Sequence, residues 1–190
     1  MRSLIQDLLP HAPKIGLFVT PDIPQKRLKG ATRDYAKDAH PEDIIALYDG
    51  TFLGNGRDGA VFLDDRLIFQ NSDLEPSQTI LYRDIVFIES SQSRIRGTHI
   101  EMEINRGRAT FSVKLNLSKH PQSLEYIEKL LQKLMLTPDS SDGESTDWSA
   151  VTQALDRLRI SGQLTESDFK RLMSVRPNSP NDLWMDDEPS

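Results

Sequence analysis

The most chemically suggestive stretch of this 190-residue chain is Gly54-Asn-Gly56-Arg-Asp-Gly59-Ala-Val61. It matches the glycine-rich nucleotide loop letter for letter, including the valine of the kinase version. Such a loop holds phosphates on backbone N–H groups, and its chemistry depends on the element next in the chain. A dinucleotide site needs a helix there, so that its N-terminus faces the pyrophosphate. Here Ala60–Phe69 is rich in Val, Leu, Ile and Phe and reads as strand, tight turn and strand. A kinase needs a lysine on a subsequent strand and later H-R-D and D-F-G motifs. No lysine occurs between Lys37 and Lys114, and neither motif is present. The spacing predicts a hairpin loop.

Other reactive constellations are thin. His11, His40, His99 and His120 are scattered, with no ligand-spaced neighbours. Asp139–Ala150 offers acids in the manner of a calcium loop, but Ala150 holds the twelfth position, where a bidentate Glu is needed. The chain has no cysteine, hence no disulfide, thiolate metal site or cysteine nucleophile. No G-x-S-x-G elbow occurs, and Glu101 and Glu103 read as the solvated face of a strand. No catalytic residue, metal site or cofactor is expected, and the chain reads as non-enzymatic.

The elements that would position these residues follow from apolar periodicity. Ile15–Val19 could be an edge strand after an irregular or weakly helical start. Leu28, Ala31, Tyr35 and Ala36 recur on one face and predict a helix over 24–37, ended by His40-Pro41. Residues 44–71 read as three strands, with Asp64-Asp65 at a hairpin tip. Ile80–Ser91 is expected to be one long strand, central or bulged. Thr98–Asn105 and Ala109–Asn116 alternate cleanly and turn at Arg106-Gly107, with Phe111, Val113 and Leu115 facing inward. Leu124, Ile127, Leu130, Leu131, Leu134 and Met135 form a broad helical stripe that must cover an apolar surface. The expected class is α+β, mainly β: a small antiparallel barrel or half-barrel closed by a C-terminal helix.

The rest divides by composition. Residues 137–147 are acidic and lack large apolar groups, as a flexible linker does. Residues 148–176 read as two short helices, with Trp148, Val151, Leu155 and Leu158 on one face and Gly162 as the stop. Leu164 and Phe169 flank the capping pattern Thr165-Glu-Ser-Asp168, and Leu172 continues the apolar face. A unit this small encloses little surface and needs a partner, either the barrel or another copy. The tail 177–190 reads as disordered apart from Leu183-Trp184-Met185.

Two resemblances emerge from these residues. Gly59, Val61, Leu63, Arg66-Leu67-Ile68-Phe69 and then Tyr82-Arg83-Asp84-Ile85 resemble the hairpin and later strand of a bacterial PH-like (GRAM-type) domain. Asp64 stands where that family usually has Thr, and the turn is one residue shorter. The resemblance covers residues 14–135 of a predicted domain 1–136 and implies a seven-strand barrel capped by one helix. Leu155, Leu158, Gly162, Leu164, Thr165, Asp168 and Phe169 are similar to the pattern of the short C-terminal domain called SHOCT, with Asp168 in place of the usual Glu. That resemblance implies assembly or partner binding.

Charge narrows the partners. The formal net charge is -6, but residues 1–136 balance bases against acids and the excess acid lies in the linker and tail. A neutral domain with acidic flanks lacks the basic footprint that nucleic acid and anionic lipid require. The loop with Arg57 has Asp58 beside it. No window reaches the roughly 18 apolar residues of a membrane span, and MRSLIQDLLPHAP is too polar for a signal peptide. A cytoplasmic bacterial protein is expected, acting as an interaction and oligomerisation module. Trp148, Leu155, Leu158, Leu164, Phe169, Leu172, Leu183, Trp184 and Met185 are the expected partner-binding residues. The alternative is peripheral membrane or lipid binding through the PH-like domain.

Overall fold

The computed structural model describes residues 1–93, 95, 97–107, 109–137, 159, 165 and 169. The chain forms two compact units, Met1–Asp139 and Ser140–Ser190. In the first, helix α1 (Arg2–Leu8) buries Ile5, and a 3-10 turn at Pro13–Ile15 leads into β1 (Leu17–Val19). Helix α2 (Gln25–Asp34) then precedes β2 (Ala46–Asp49), β3 (Gly59–Phe62), β4 (Arg66–Gln70) and β5 (Gln78–Leu81). These strands pair antiparallel in chain order, β1 to β5, with β1 at one edge. A second antiparallel sheet holds β6 (Ile85–Ser93), β7 (Gly97–Arg106) and β8 (Ala109–Asn116), and α3 (Leu124–Met135) comes next. The class is α+β, mainly β. Among the described residues the strands form two separate sheets, and hydrogen bonding does not close them into the barrel expected from the sequence.

The five-stranded sheet is covered on both faces, which explains its nearly continuous apolar runs. Tyr48, Phe62 and Phe69 point into a core shared with Ile100 and Met102 of the second sheet, Ile5 of α1 and Leu130 and Leu134 of α3. Leu47, Val61 and Ile68, one residue out of phase, point the other way against Ala31 of α2 and Tyr35 just past its end. Alternation therefore survives inside runs such as IIALY, but both phases are apolar.

One expected strand is two. Ile80–Ser91 breaks at a 3-10 turn, Tyr82–Asp84, so β5 belongs to the first sheet and β6 to the second. The cause is Tyr82, whose side chain is buried. Its hydroxyl donates to the Leu63 carbonyl at 3.1 Å, and its backbone N–H donates to the Asp65 carbonyl at 3.1 Å. Those bonds hold the residue at the β3–β4 turn and force the chain across to the other layer. Of the two expectations, central or bulged, the strand shows a bulge, as a register shift between Ile85 and Phe87, and β6 lies at the edge of its sheet.

Both sheet edges near the junction are stoppered by side chains. The Asn71 amide donates to the Lys114 carbonyl and accepts from the Asn116 N–H, both at 2.8 Å, so it occupies the outward edge of β8 as a neighbouring peptide would. Arg106 donates to the Thr79 carbonyl of β5 and lies 3.5 Å from Asp84. Phe111, expected inward, stays 37% exposed, while Leu115 on the same strand is fully buried. No helix among the described residues is long and apolar enough to cross a membrane.

Candidate functional site

The glycine loop, residues 50–58, is packed against α2. Gly30 sits in the middle of that helix, and a Cβ there would overlap the Asn55 carbonyl oxygen. Gly56 answers from the loop side: it has φ +70°, and a Cβ would lie 2.5 Å from the Arg27 carbonyl oxygen. Two glycines thus bring a loop backbone into contact with a helix backbone.

A buried ion pair pins this contact. Arg27 Nε donates to Asp49 Oδ2 at 2.7 Å, with the Asp49 side chain only 3% exposed. The other Asp49 oxygen accepts from the Thr51 N–H at 3.0 Å and from the Thr51 hydroxyl, and that hydroxyl in turn accepts from the Asn55 N–H at 3.0 Å. The Arg27 guanidinium lies over the Phe18 ring at 4.2 Å. Arg27 and Thr51 thus hold both Asp49 oxygens, and the arrangement shapes the loop.

Among the described residues, concavities open around α2 and this loop. A cleft of about 280 Å³ runs between α2 and the loop, lined by Lys26, Lys29, Arg33, Asp34, Asn55 and Arg57. Arg57 pairs with Asp34, whereas Lys26, Lys29 and Arg33 have no acidic partner among the described residues. A smaller one of about 170 Å³ lies where Phe18, Arg27 and Asp49 meet Phe52, Lys119 and His120. A third, about 740 Å³, lies between the end of α2 and the β4–β5 edge, with Asp34, Lys37, Asp38, Arg66 and Arg106 of mixed sign on its walls. Burial lowers the His120 imidazole below its usual value, and the adjacent Lys119 charge adds to that. Asp58 is raised by burial first and by Asp73 second.

No family model, curated protein or solved structure matches the chain. Its function therefore rests on its own geometry.

The structure separates the other residues singled out in the sequence. His11 Nδ1 accepts from the Val19 N–H at 3.4 Å and packs edge-on to Phe18, while the exposed His40 offers its carbonyl to Asp43. His99 lies on β7 opposite Ser91, far along the strand from Glu103, which pairs with Phe87. Glu101 accepts from the Ser112 hydroxyl and lies 3.0 Å from Lys114 Nζ, and these two partners hold its carboxyl below the usual range. It is an exposed cross-strand pair. Among the described residues no cluster of three His, Cys, Asp or Glu forms. Of the expected partner-binding residues only Phe169 is described: it is helical, its N–H donates to the Thr165 carbonyl at 2.9 Å, and the Arg159 guanidinium lies 4.7 Å from its ring. Trp148, Leu155, Leu158, Leu164, Leu172, Leu183, Trp184 and Met185 lie outside the described residues, as do residues 138–147 of the expected linker and the tail 177–190.

Whole-domain charge concealed the basic cleft. Lys26, Lys29 and Arg33 stand at i, i+3 and i+7, the spacing of one helical face, and that was the signal in the sequence.

Burial also sets a pH limit. Tyr35, Tyr48 and Tyr82 are buried, and desolvation raises all three phenols well above the usual tyrosine value. The unfolded chain releases these protons near pH ~10 while the folded one retains them, so stability falls as pH rises past about 10. Thermal melts taken between about pH 8 and 11 should show a falling melting temperature. Tyr35→Phe, which removes a buried hydroxyl without a hydrogen-bond partner, should flatten that fall without loss of stability at neutral pH. A melting temperature independent of alkaline pH contradicts this account.

Proposed function

We propose that the chain is a non-enzymatic interaction and oligomerisation module, a PH-like domain followed by a SHOCT-like helical hairpin. The observation that carries the reading is the glycine loop: the stretch with the most enzymatic appearance is closed by Gly30 and Arg27 of its own helix. The order of elements supports the PH-like part, with a five-stranded and then a three-stranded antiparallel sheet, followed by a helix whose buried Ile127, Leu130, Leu131 and Leu134 face the shared core. In this reading the two sheets form an open version of the family's barrel.

Assembly is assigned to the C-terminal segment. Trp148, Val151, Leu155, Leu158, Leu164, Phe169 and Leu172 make an apolar set on a segment too short to enclose it. Each such side chain gains about 1.5–3 kcal/mol on burial, so several left in water favour a second copy strongly. Light scattering on the full chain at tens of micromolar should give a mass above one protomer, and Phe169→Ala with Leu172→Ala should lower it. A monomeric unmodified protein rules the assembly reading out.

A further inference from the structure

A strand at the edge of a sheet offers a row of unpaired backbone groups. Among the described residues the edge strands are β1, β5, β6 and β8, and the chain answers all but one of them itself. Ala12 and Leu17 exchange N–H to carbonyl bonds of 3.0 and 3.2 Å along β1, where the Val19 N–H also donates to His11 Nδ1. On β5, Arg106 takes the Thr79 carbonyl. On β8, Asn71 takes the Lys114 carbonyl and the Asn116 N–H. The remaining edge belongs to β6, nine residues long.

The ladders fix which groups of β6 face outward. The Leu117 N–H donates to the Thr98 carbonyl, so Thr98 and, by alternation, Ile100 and Met102 turn their backbone groups toward β8. His99, Glu101 and Glu103 then turn theirs toward β6, opposite Ser91, Glu89 and Phe87. The N–H and C=O groups of Ile88, Ser90 and Gln92 therefore point away from the sheet. Among the described residues nothing bonds them. Ser90 is half-buried and Gln92 exposed, so this end of the strand is reachable.

The outer face adds a charge preference. Phe87, half exposed, lies opposite Glu103, and Glu89 lies opposite Glu101, an unfavourable pairing of like charges. Lys114 answers Glu101 from the far side. Glu89 and Glu103 have no cation in contact among the described residues.

We propose that β6 is the docking edge for an extended, basic segment of a partner protein, which adds to the three-stranded sheet as a fourth strand. Main-chain bonds to Ile88, Ser90 and Gln92 seat it. A Lys or Arg beside Glu89 answers the unpaired charge, and its methylene stem lies along Phe87. A second copy of β6 is the poorer occupant, because it brings another set of glutamates to the same face. The site deepens the interaction-module reading but stands apart from self-assembly: a chain that fails the test below and keeps its oligomeric mass loses this site and not that reading.

The probe is a short fluorescent peptide of alternating lysine and valine, titrated into the full chain and followed by anisotropy. Binding should be saturable. It should weaken by about tenfold or more for a glutamate–valine peptide, and equally for the lysine–valine peptide N-methylated at its valines, whose N–H groups face β6. Ser90→Pro removes an outward N–H that β7 does not use, and edge positions of that kind tolerate proline. It should abolish binding while the melting temperature changes little. Glu89→Lys leaves the edge intact and should reverse the preference between the two charged peptides. In hydrogen exchange, the amides of Ile88, Ser90 and Gln92 should be faster than those of Phe87, Glu89 and Ser91, and should slow when the peptide is added. The proposal is wrong if the lysine–valine peptide does not bind, if its N-methylated form binds as well, or if the three outward amides are already slow in the free chain. A fall in oligomeric mass on Ser90→Pro also overturns it and gives the edge to a second copy.

Discussion

Replacing Arg27 with alanine should destabilise the domain by about 3–5 kcal/mol, because it leaves the Asp49 carboxylate buried without its counter-charge. The Asp49 side chain is 3% exposed and has no other cation in contact among the described residues, so the remaining bonds from Thr51 must support a full negative charge. Arg27 also places its guanidinium over the Phe18 ring, so some loss comes from that contact. A double change, Arg27→Met with Asp49→Asn, removes both charges and keeps most of the volume. Its cost should fall well short of the sum of the single changes. Urea titration of the four proteins measures this coupling. An Arg27→Ala cost under about 1 kcal/mol would mean that the pair behaves like a surface ion pair.

Gly30→Ala should have the opposite sign to the one helix propensity assigns. In an unencumbered helix the change stabilises by about 1 kcal/mol. Here the added carbon overlaps the Asn55 carbonyl, and backbone cannot swing aside as a side-chain tip can. The loop must lift off α2, loosening the Asp49–Thr51–Asn55 bonds, and overpacking of this kind costs about 1–3 kcal/mol. Lys29→Ala, one residue away and exposed, is the control and should change stability by only a few tenths of a kcal/mol. Thermal or urea unfolding of both variants decides the matter. A stabilised Gly30→Ala protein would mean that the loop and helix are not in backbone contact.

That pair of glycines also marks where reading the sequence stops. Alternation in Thr98–Asn105 and Ala109–Asn116, and the stripe from Leu124 to Met135, predict β7, β8 and α3 because each is decided by its own residues facing one core. The three strands of 44–71 are legible for another reason: both faces are covered, so their apolar runs are nearly continuous and bounded by turn residues. The break at Tyr82 is not, since every residue of ILYRDIVFIE suits a strand and the turn is imposed by the carbonyls of Leu63 and Asp65. Likewise the loop pattern Gly54-Asn-Gly56 announces a tight backbone but not what it is tight against, because its partner Gly30 is more than twenty residues away. The open edge of β6 is equally hidden, because nothing in IVFIESSQS says which neighbour the strand lacks.

The amide of Asn71 matters most when the molecule is damaged. It covers the edge of β8 with a group carried by the connection between two other strands, β4 and β5. The cover stays in place only while that connection is seated. A protease that cuts between Ser72 and Ser77 would leave the three-stranded sheet whole while freeing its edge to recruit strands from other molecules. A clipped chain then becomes a seed for aggregation while most of its core is still folded.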